Sequence, residues 1–179
     1  MAEKTLTSEL PVWIDRRFPS QLSVELLPNL CVRLRGTPAR LEELTRGLPR
    51  EVLTHKPEGK WSIQENAGHL LDAEDVWAAR LEDYAEGKDT LTAARPDGRK
   101  TQEAGHNHRP LEEILASFRR ARLAMIDRVE GLPAELRNRA LEHPRLKIPM
   151  RMVDHLFFVA EHDDQHLARI LELHRQLAR

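Results

Sequence analysis

The sequence predicts an all-α protein, a four-helix bundle in up-down-down-up order with one long crossover between its second and third helices. Three observations predict it. Leu, Ala, Glu and Arg dominate while aromatic residues make up only 4%, a composition of packed helices rather than of a sandwich or barrel rich in Val, Thr and Tyr. Four segments repeat apolar residues every three or four positions, the period of one helix face. The connection between the second and third segments is long enough to carry the chain back along a whole helix.

Residues 1–20 read as an irregular arm, and 21–179 as a single domain. The first helix is expected from Leu22 to Leu48, with Leu27, Leu30, Leu34, Leu41, Leu44 and Leu48 in register. Pro38 interrupts it without changing the apolar phase, which predicts one kinked, continuous helix. The second helix starts at Ser62-Ile63-Gln64-Glu65, where the Ser hydroxyl and the Glu carboxylate can each accept the other residue's backbone N–H. Its stripe is Ile63, Leu70, Trp77, Leu81 and Tyr84, and Gly87 is its stop. The third starts near Pro110, carries Leu111, Ile114, Leu115, Phe118, Met125 and Val129, and ends at Gly131 and Pro133. The fourth runs from about Pro149 to Leu177 with Met152, Leu156, Val159, Ile170, Leu173 and Leu177 inward. The 23 residues from Gly87 to Arg109 can span roughly 75 Å when extended. Helices 2 and 3 are therefore expected to run parallel.

Composition narrows the function classes. With 40% hydrophobic and 32% charged residues among 179, the chain has material for one folded domain. A net charge of −1, with Arg and Lys interleaved among Glu and Asp, lacks the basic stripe of a nucleic-acid binder. The single cysteine, Cys31, allows no intrachain disulfide, which points to a reducing compartment. There is no apolar run of membrane-spanning length and no secretory signal pattern in residues 1–20. A cytoplasmic location is expected, with neither membrane nor nucleic acid as partner.

The fourth helix carries Glu161-His162-Asp163-Asp164-Gln165-His166. At 100° per residue, His162 and His166 fall on the same face as Val159, Ile170 and Leu173. A buried imidazole costs free energy unless its nitrogens find partners, and two at i, i+4 can share a metal ion. No Glu lies between them, so this is not the zinc-protease motif. His69, at the edge of the second helix's inner face, is the candidate third ligand, with Asn66 one turn earlier on the same side. Three imidazoles would leave coordination positions open for water or substrate. His155 also faces inward, but one heptad, about 10 Å along the axis, separates it from His162; it reads as a core or rim histidine. His106 and His108 read as plain loop histidines, the alternative being a role at the mouth of the site.

These residues also carry a family likeness. Trp61-Ser62-Ile63-Gln64-Glu65-Asn66-Ala67-Gly68-His69-Leu70, the run Glu161–Ile170 (EHDDQHLARI) and Arg35-Gly36-Thr37-Pro38-Ala39-Arg40-Leu41 resemble the helix-2, helix-4 and helix-1 signatures of the DinB-like superfamily, which includes the YfiT-type proteins. The resemblance covers about residues 20–175. It implies an up-down-down-up bundle, often a homodimer, and one divalent transition metal such as nickel or zinc, held by His69, His162 and His166. Gln165 stands where relatives often have a further histidine, outside that trio. Some relatives are transferases or isomerases using a low-molecular-weight thiol; others have been called hydrolases. The resemblance thus implies a metal-dependent thiol S-transferase or hydrolase, the alternative being a non-catalytic metal-binding or stress-response protein. Asn66 and Asp163 are expected to support the ligands by hydrogen bonds.

Overall fold

Four long helical segments form the body of the protein in the computed structural model, which describes residues 10–57, 59–95 and 98–177. The first segment is a pair of helices, α1 (Leu27–Arg35) and α2 (Thr37–Thr45), joined at Gly36 and preceded by a 3-10 turn over Val24–Leu26. The sequence predicts one unbroken helix from Leu22 to Leu48; the chain instead breaks for one residue at Gly36 and ends its helix at Thr45. Pro38 accounts for the break, because it offers no N–H to the preceding turn and its ring crowds a carbonyl there. Gly36 stays right-handed and its N–H reaches Val32 O at 3.1 Å. Leu27, Leu30, Leu34 and Leu41 accordingly remain buried on both sides of the break. A short helix, α3 (Arg50–Thr54), follows.

Helix α4 (Ile63–Glu86) opens on the expected capping box. Glu65 N donates to Ser62 Oγ at 3.0 Å, and Ser62 N donates to Glu65 Oε2 at 2.8 Å. It closes at Gly87, whose φ of 72° is left-handed and suits a residue without Cβ. The crossover is not structureless: it contains α5 (Arg99–Glu103) and a 3-10 turn at His106–His108. Helix α6 (Leu111–Gly131) follows Pro110, and α7 (Ala134–Asn138) follows Pro133. A small hairpin then pairs β1 (Leu141–Glu142) antiparallel with β2 (Pro149–Met150). Pro149 therefore belongs to a strand, and α8 (Met152–Leu177) starts later than the sequence suggests. Asp154 fixes that start by accepting from Arg151 N at 2.9 Å and from Leu22 N at 2.8 Å.

Helix α4 packs against α6 and α8, and α1 packs against the same two helices. The apolar interior they enclose is divided. One cluster gathers Leu34, Trp77, Leu81, Tyr84, Ile126, Leu156 and Val159; the other gathers Leu41, Ile63, Leu70, Ile114, Phe118, Leu167 and Ile170. A polar layer of Thr37, Glu74, Arg122, His162 and Asp163, all buried, crosses the bundle between them. Of the predicted arm, residues 1–9 lie outside the described residues. Residues 10–20 are irregular apart from a 3-10 turn at Trp13–Asp15, and they lie on α8. Trp13 and Phe18 pack on Phe158 at 5.2 and 4.9 Å, and Arg16 pairs with Glu161 at 2.5 Å. No helix among the described residues is long and apolar enough to cross a membrane.

Candidate metal centre

The polar layer brings His69 of α4 together with His162 and His166 of α8. One ring nitrogen from each lies within 4.8 Å of the other two, and the Nε2 atoms of His69 and His162 are 3.1 Å apart. His162 is buried, while His69 and His166 are partly exposed.

Two of the three rings have their proton position set by neighbours. Asn66 Nδ2 donates to Ser62 O at 2.8 Å, which turns Asn66 Oδ1 toward His166 Nδ1 at 2.9 Å. An amide oxygen only accepts, so His166 Nδ1 carries the proton and its Nε2 lone pair is free. Thr101 Oγ1 donates to Asp72 Oδ2 at 2.9 Å and so accepts from His69 Nδ1, also at 2.9 Å. His69 Nε2 is thereby a lone-pair donor as well. Burial, reinforced by the nearby His162, pushes the His69 imidazole down to about 3. Burial, then His162 and His69, hold His166 well below its ordinary range. Neutral imidazoles with Nδ1–H pinned and Nε2 facing inward are what a divalent ion requires, so the residues present fit a metal.

Asn66 is thus the hydrogen-bond partner of His166 Nδ1. Asp163 does not touch the ligands in the same way. Its Oδ1 is 3.9 Å from His162 Nδ1, beyond hydrogen-bonding range, and the carboxylate is engaged by Arg122 and by Thr37 Oγ1 at 2.9 Å. Burial opposes its ionisation, but Arg122 holds the carboxyl down at about 2. Arg122 also donates to Glu74 Oε1 at 2.6 and 3.0 Å. Burial raises Glu74 to about 7, with Arg122 acting against the rise. Its Oε2 is buried without a partner.

The expectation for His106 needs correction. It is buried, not a bland loop residue, and its Nε2 donates to the same Asp72 Oδ2 at 2.8 Å. A chain therefore runs from His106 through Asp72 and Thr101 to His69. It closes because Gly68, directly before His69, has no side chain where the His106 ring lies. His108 is exposed and His155 lies apart in the core, as expected. All three tryptophans of the chain wall the trio. Trp61 lies over His69 and His166 at 4.7 and 6.1 Å, while Trp13 and Trp77 meet His162 edge-on at 5.3 and 5.4 Å. Trp61 was within reach of the motif containing His69. Trp13 and Thr101 carry no local signal of this role.

Comparison with known proteins follows the same lines. By fold the chain is similar to YfiT from Bacillus subtilis, described as a probable metal-dependent hydrolase with an unusual four-helix bundle topology. The TM-score is 0.78 at 18% identity, over 91% of this chain and 94% of that one. It is also similar to a mycothiol-dependent maleylpyruvate isomerase, with a TM-score of 0.64 at 9% identity, over 79% of this chain and 59% of that one. No curated protein matches by sequence. The model of the DinB superfamily matches residues 33–170, which span α2 through most of α8 and include all three histidines. The chain belongs to the DinB superfamily.

Proposed function

We propose that this protein holds one divalent transition metal, nickel or zinc, on His69, His162 and His166 and activates a small nucleophile there, water or a low-molecular-weight thiol. The observation that carries the reading is the fixed protonation of two rings, His166 by Asn66 and His69 by Thr101, which puts a lone pair on Nε2 of each, with that of His69 3.1 Å from His162 Nε2. Imidazole suits both metals. A bound ion supplies Lewis acidity and lowers the pKa of an attached water or thiol. The chain's own part is to hold the rings neutral and aimed, to exclude bulk water with the tryptophan walls, and to leave the His69 and His166 side partly open. The names of the two similar structures support hydrolysis and thiol chemistry respectively. The enclosure of His162 by Trp13 and Trp77 favours the second reading, a non-catalytic metal site.

The test is to assay the metal-loaded protein for ester or amide hydrolysis and for conjugation of small thiols to electrophiles. Turnover that disappears on chelation and returns with metal supports the enzyme. A chelation-sensitive melting temperature without turnover supports the non-catalytic reading.

The up-down-down-up order belongs to the same proposal and is supported by the register of ion pairs. Glu74–Arg122 and Glu82–Arg128 advance together along α4 and α6. Contacts of Asn66 with His166 and of Trp77 with His155 advance oppositely along α4 and α8. A homodimer and a cytoplasmic location complete the reading. Val24, Leu26 and Val32, large apolar side chains exposed on and beside α1, support the former, and light scattering on the purified protein tests it.

A further inference from the structure

Trp77 is shared between the histidine trio and a second buried polar cluster. Its ring meets His162 at 5.4 Å and His155, seven residues earlier on α8, at 5.8 Å. The Arg80 guanidinium lies 5.3 Å from the centroid of the same indole. His143, on the hairpin after α7, packs on Phe158 at 5.2 Å. Arg80 is close enough to His155 for its positive charge to add to the effect of burial in keeping that ring neutral.

Several polar atoms of this cluster are buried without a partner. Arg80 is 1% exposed; its Nε donates to Thr92 O at 2.9 Å, but Nη1 is buried without a partner. No carboxylate of the described residues lies within 4.0 Å of Arg80 or Arg145. Asp83, the carboxylate whose charge reaches Arg80, is engaged by Lys88 Nζ at 2.9 Å and by Thr92 N and Oγ1. His143 Nδ1 accepts from Arg145 N at 3.3 Å and Leu146 N at 3.2 Å. Its proton therefore sits on Nε2, which is buried without a partner. Trp77 Nε1–H, Arg145 Nη2 and both ring nitrogens of His155 are in the same state.

A buried guanidinium without a counter-ion, surrounded by N–H groups without acceptors, is a costly arrangement in a folded chain. Neutral His155 brings one donor and one acceptor, and the rest of the imbalance has one sign. Arg80 Nη1, Trp77 Nε1, His143 Nε2 and Arg145 Nη2 can only donate, and the net charge is positive. A metal cation is therefore disfavoured, although two histidines are present. We propose that this cluster is a binding site for a small oxyanion, most closely a carboxylate, held by Arg80 with Trp77 Nε1–H and His143 Nε2–H as further donors. An oxyanion brings acceptors only, and it brings the missing negative charge. A planar carboxylate matches the guanidinium fork. Neutral water could satisfy individual donors but would leave Arg80 uncompensated. The inference does not rest on the reading of the histidine trio, with which the cluster shares only the ring of Trp77.

The experiment uses full-length protein at fixed metal content, exchanged into chloride buffer. Formate, acetate, phosphate and sulfate are titrated in turn at constant ionic strength, with chloride as control. The readouts are the Trp77 indole N–H resonance, assigned with Trp77→Phe, and the melting temperature. Any oxyanion released from denatured protein is measured by ion chromatography. The expected result is a stoichiometric released oxyanion, or a saturable shift of the Trp77 resonance with a rise in melting temperature. Arg80→Met should abolish it, and Arg80→Lys should weaken it at least tenfold if the Met variant fails to fold. A response to carboxylates alone identifies a carboxylate site; a response to phosphate or sulfate alone identifies the inorganic anion. No released oxyanion together with flat titrations, or an Arg80→Lys protein that responds like the wild type, overturns the proposal.

Discussion

Gly68 on α4 and His106 in the crossover share a space that neither could share with a larger neighbour: a β-carbon on Gly68 would stand 2.2 Å from Cγ of His106. That approach lets His106 reach Asp72, which receives Thr101, which in turn receives His69 Nδ1–H. Gly68→Ala is expected to displace the crossover. The helical backbone gains about 0.5–1 kcal/mol from the substitution, and forcing the ring aside costs roughly 1–3 kcal/mol. Thermal unfolding should show a net loss of stability, and metal competition a weaker site, even though no ligand is altered.

Asn66→Ala removes the acceptor that holds His166 Nδ1–H. Loss of such a partner weakens metal binding by roughly 10–100-fold, and the helix should persist because the capping box at Ser62 is untouched. Asn66→Asp keeps an acceptor at that position and should retain most of the affinity. Equal affinities for wild type and Asn66→Ala, measured against a chromophoric chelator, would remove Asn66 from the support of the site.

The Arg122 triad predicts a stability that depends on pH at both ends. Arg122→Met leaves Asp163 and Glu74 buried without their cation, and breaking a buried pair in this way costs about 3–5 kcal/mol. Asp163, held at about 2 against burial by Arg122, contributes stability above its unfolded value near 3.8 that is lost as pH falls toward 2. Glu74 has the opposite sign. Burial raises it from 4.5 to about 7, so its contribution is complete below pH 4.5 and is lost as pH rises through 7. Glu74→Gln should flatten the upper limb of a denaturant-midpoint profile and leave the acid limb in place. An unchanged upper limb would show that Glu74 does not titrate there.

Much of this architecture is legible in the sequence. The leucine stripes, the Ser62–Glu65 box and Gly87 mark the long helices because helix periodicity and capping are local properties. The pair His162 and His166 is legible for the same reason, since four residues bring two side chains to one face. What escapes is non-local or short. The hairpin at 141–150 and the helices α3, α5 and α7 are too brief to show a period. The role of His106 depends on a crossover folding back over a glycine. The position of Trp13 depends on an arm lying down on α8. The break at Gly36 rather than at Pro38 itself reflects crowding in the turn before proline, which apolar phase alone does not report.

The tryptophans provide a direct reporter. Because Trp13, Trp61 and Trp77 all touch the trio, nickel(II) bound there should quench most of the intrinsic fluorescence, saturating at about one equivalent, while zinc(II) should change it little. Quenching limited to a minor fraction of the emission would place the ion elsewhere.

The most direct measurement is the metal content of untagged protein, wild type and His162→Ala, after loading with nickel or zinc and desalting. The trio predicts about one ion per chain in the wild type and near none in the variant, with helicity by circular dichroism preserved in both, because two imidazoles hold an ion far more weakly than three. A folded His162→Ala protein that retains the full complement would contradict the assignment of the site.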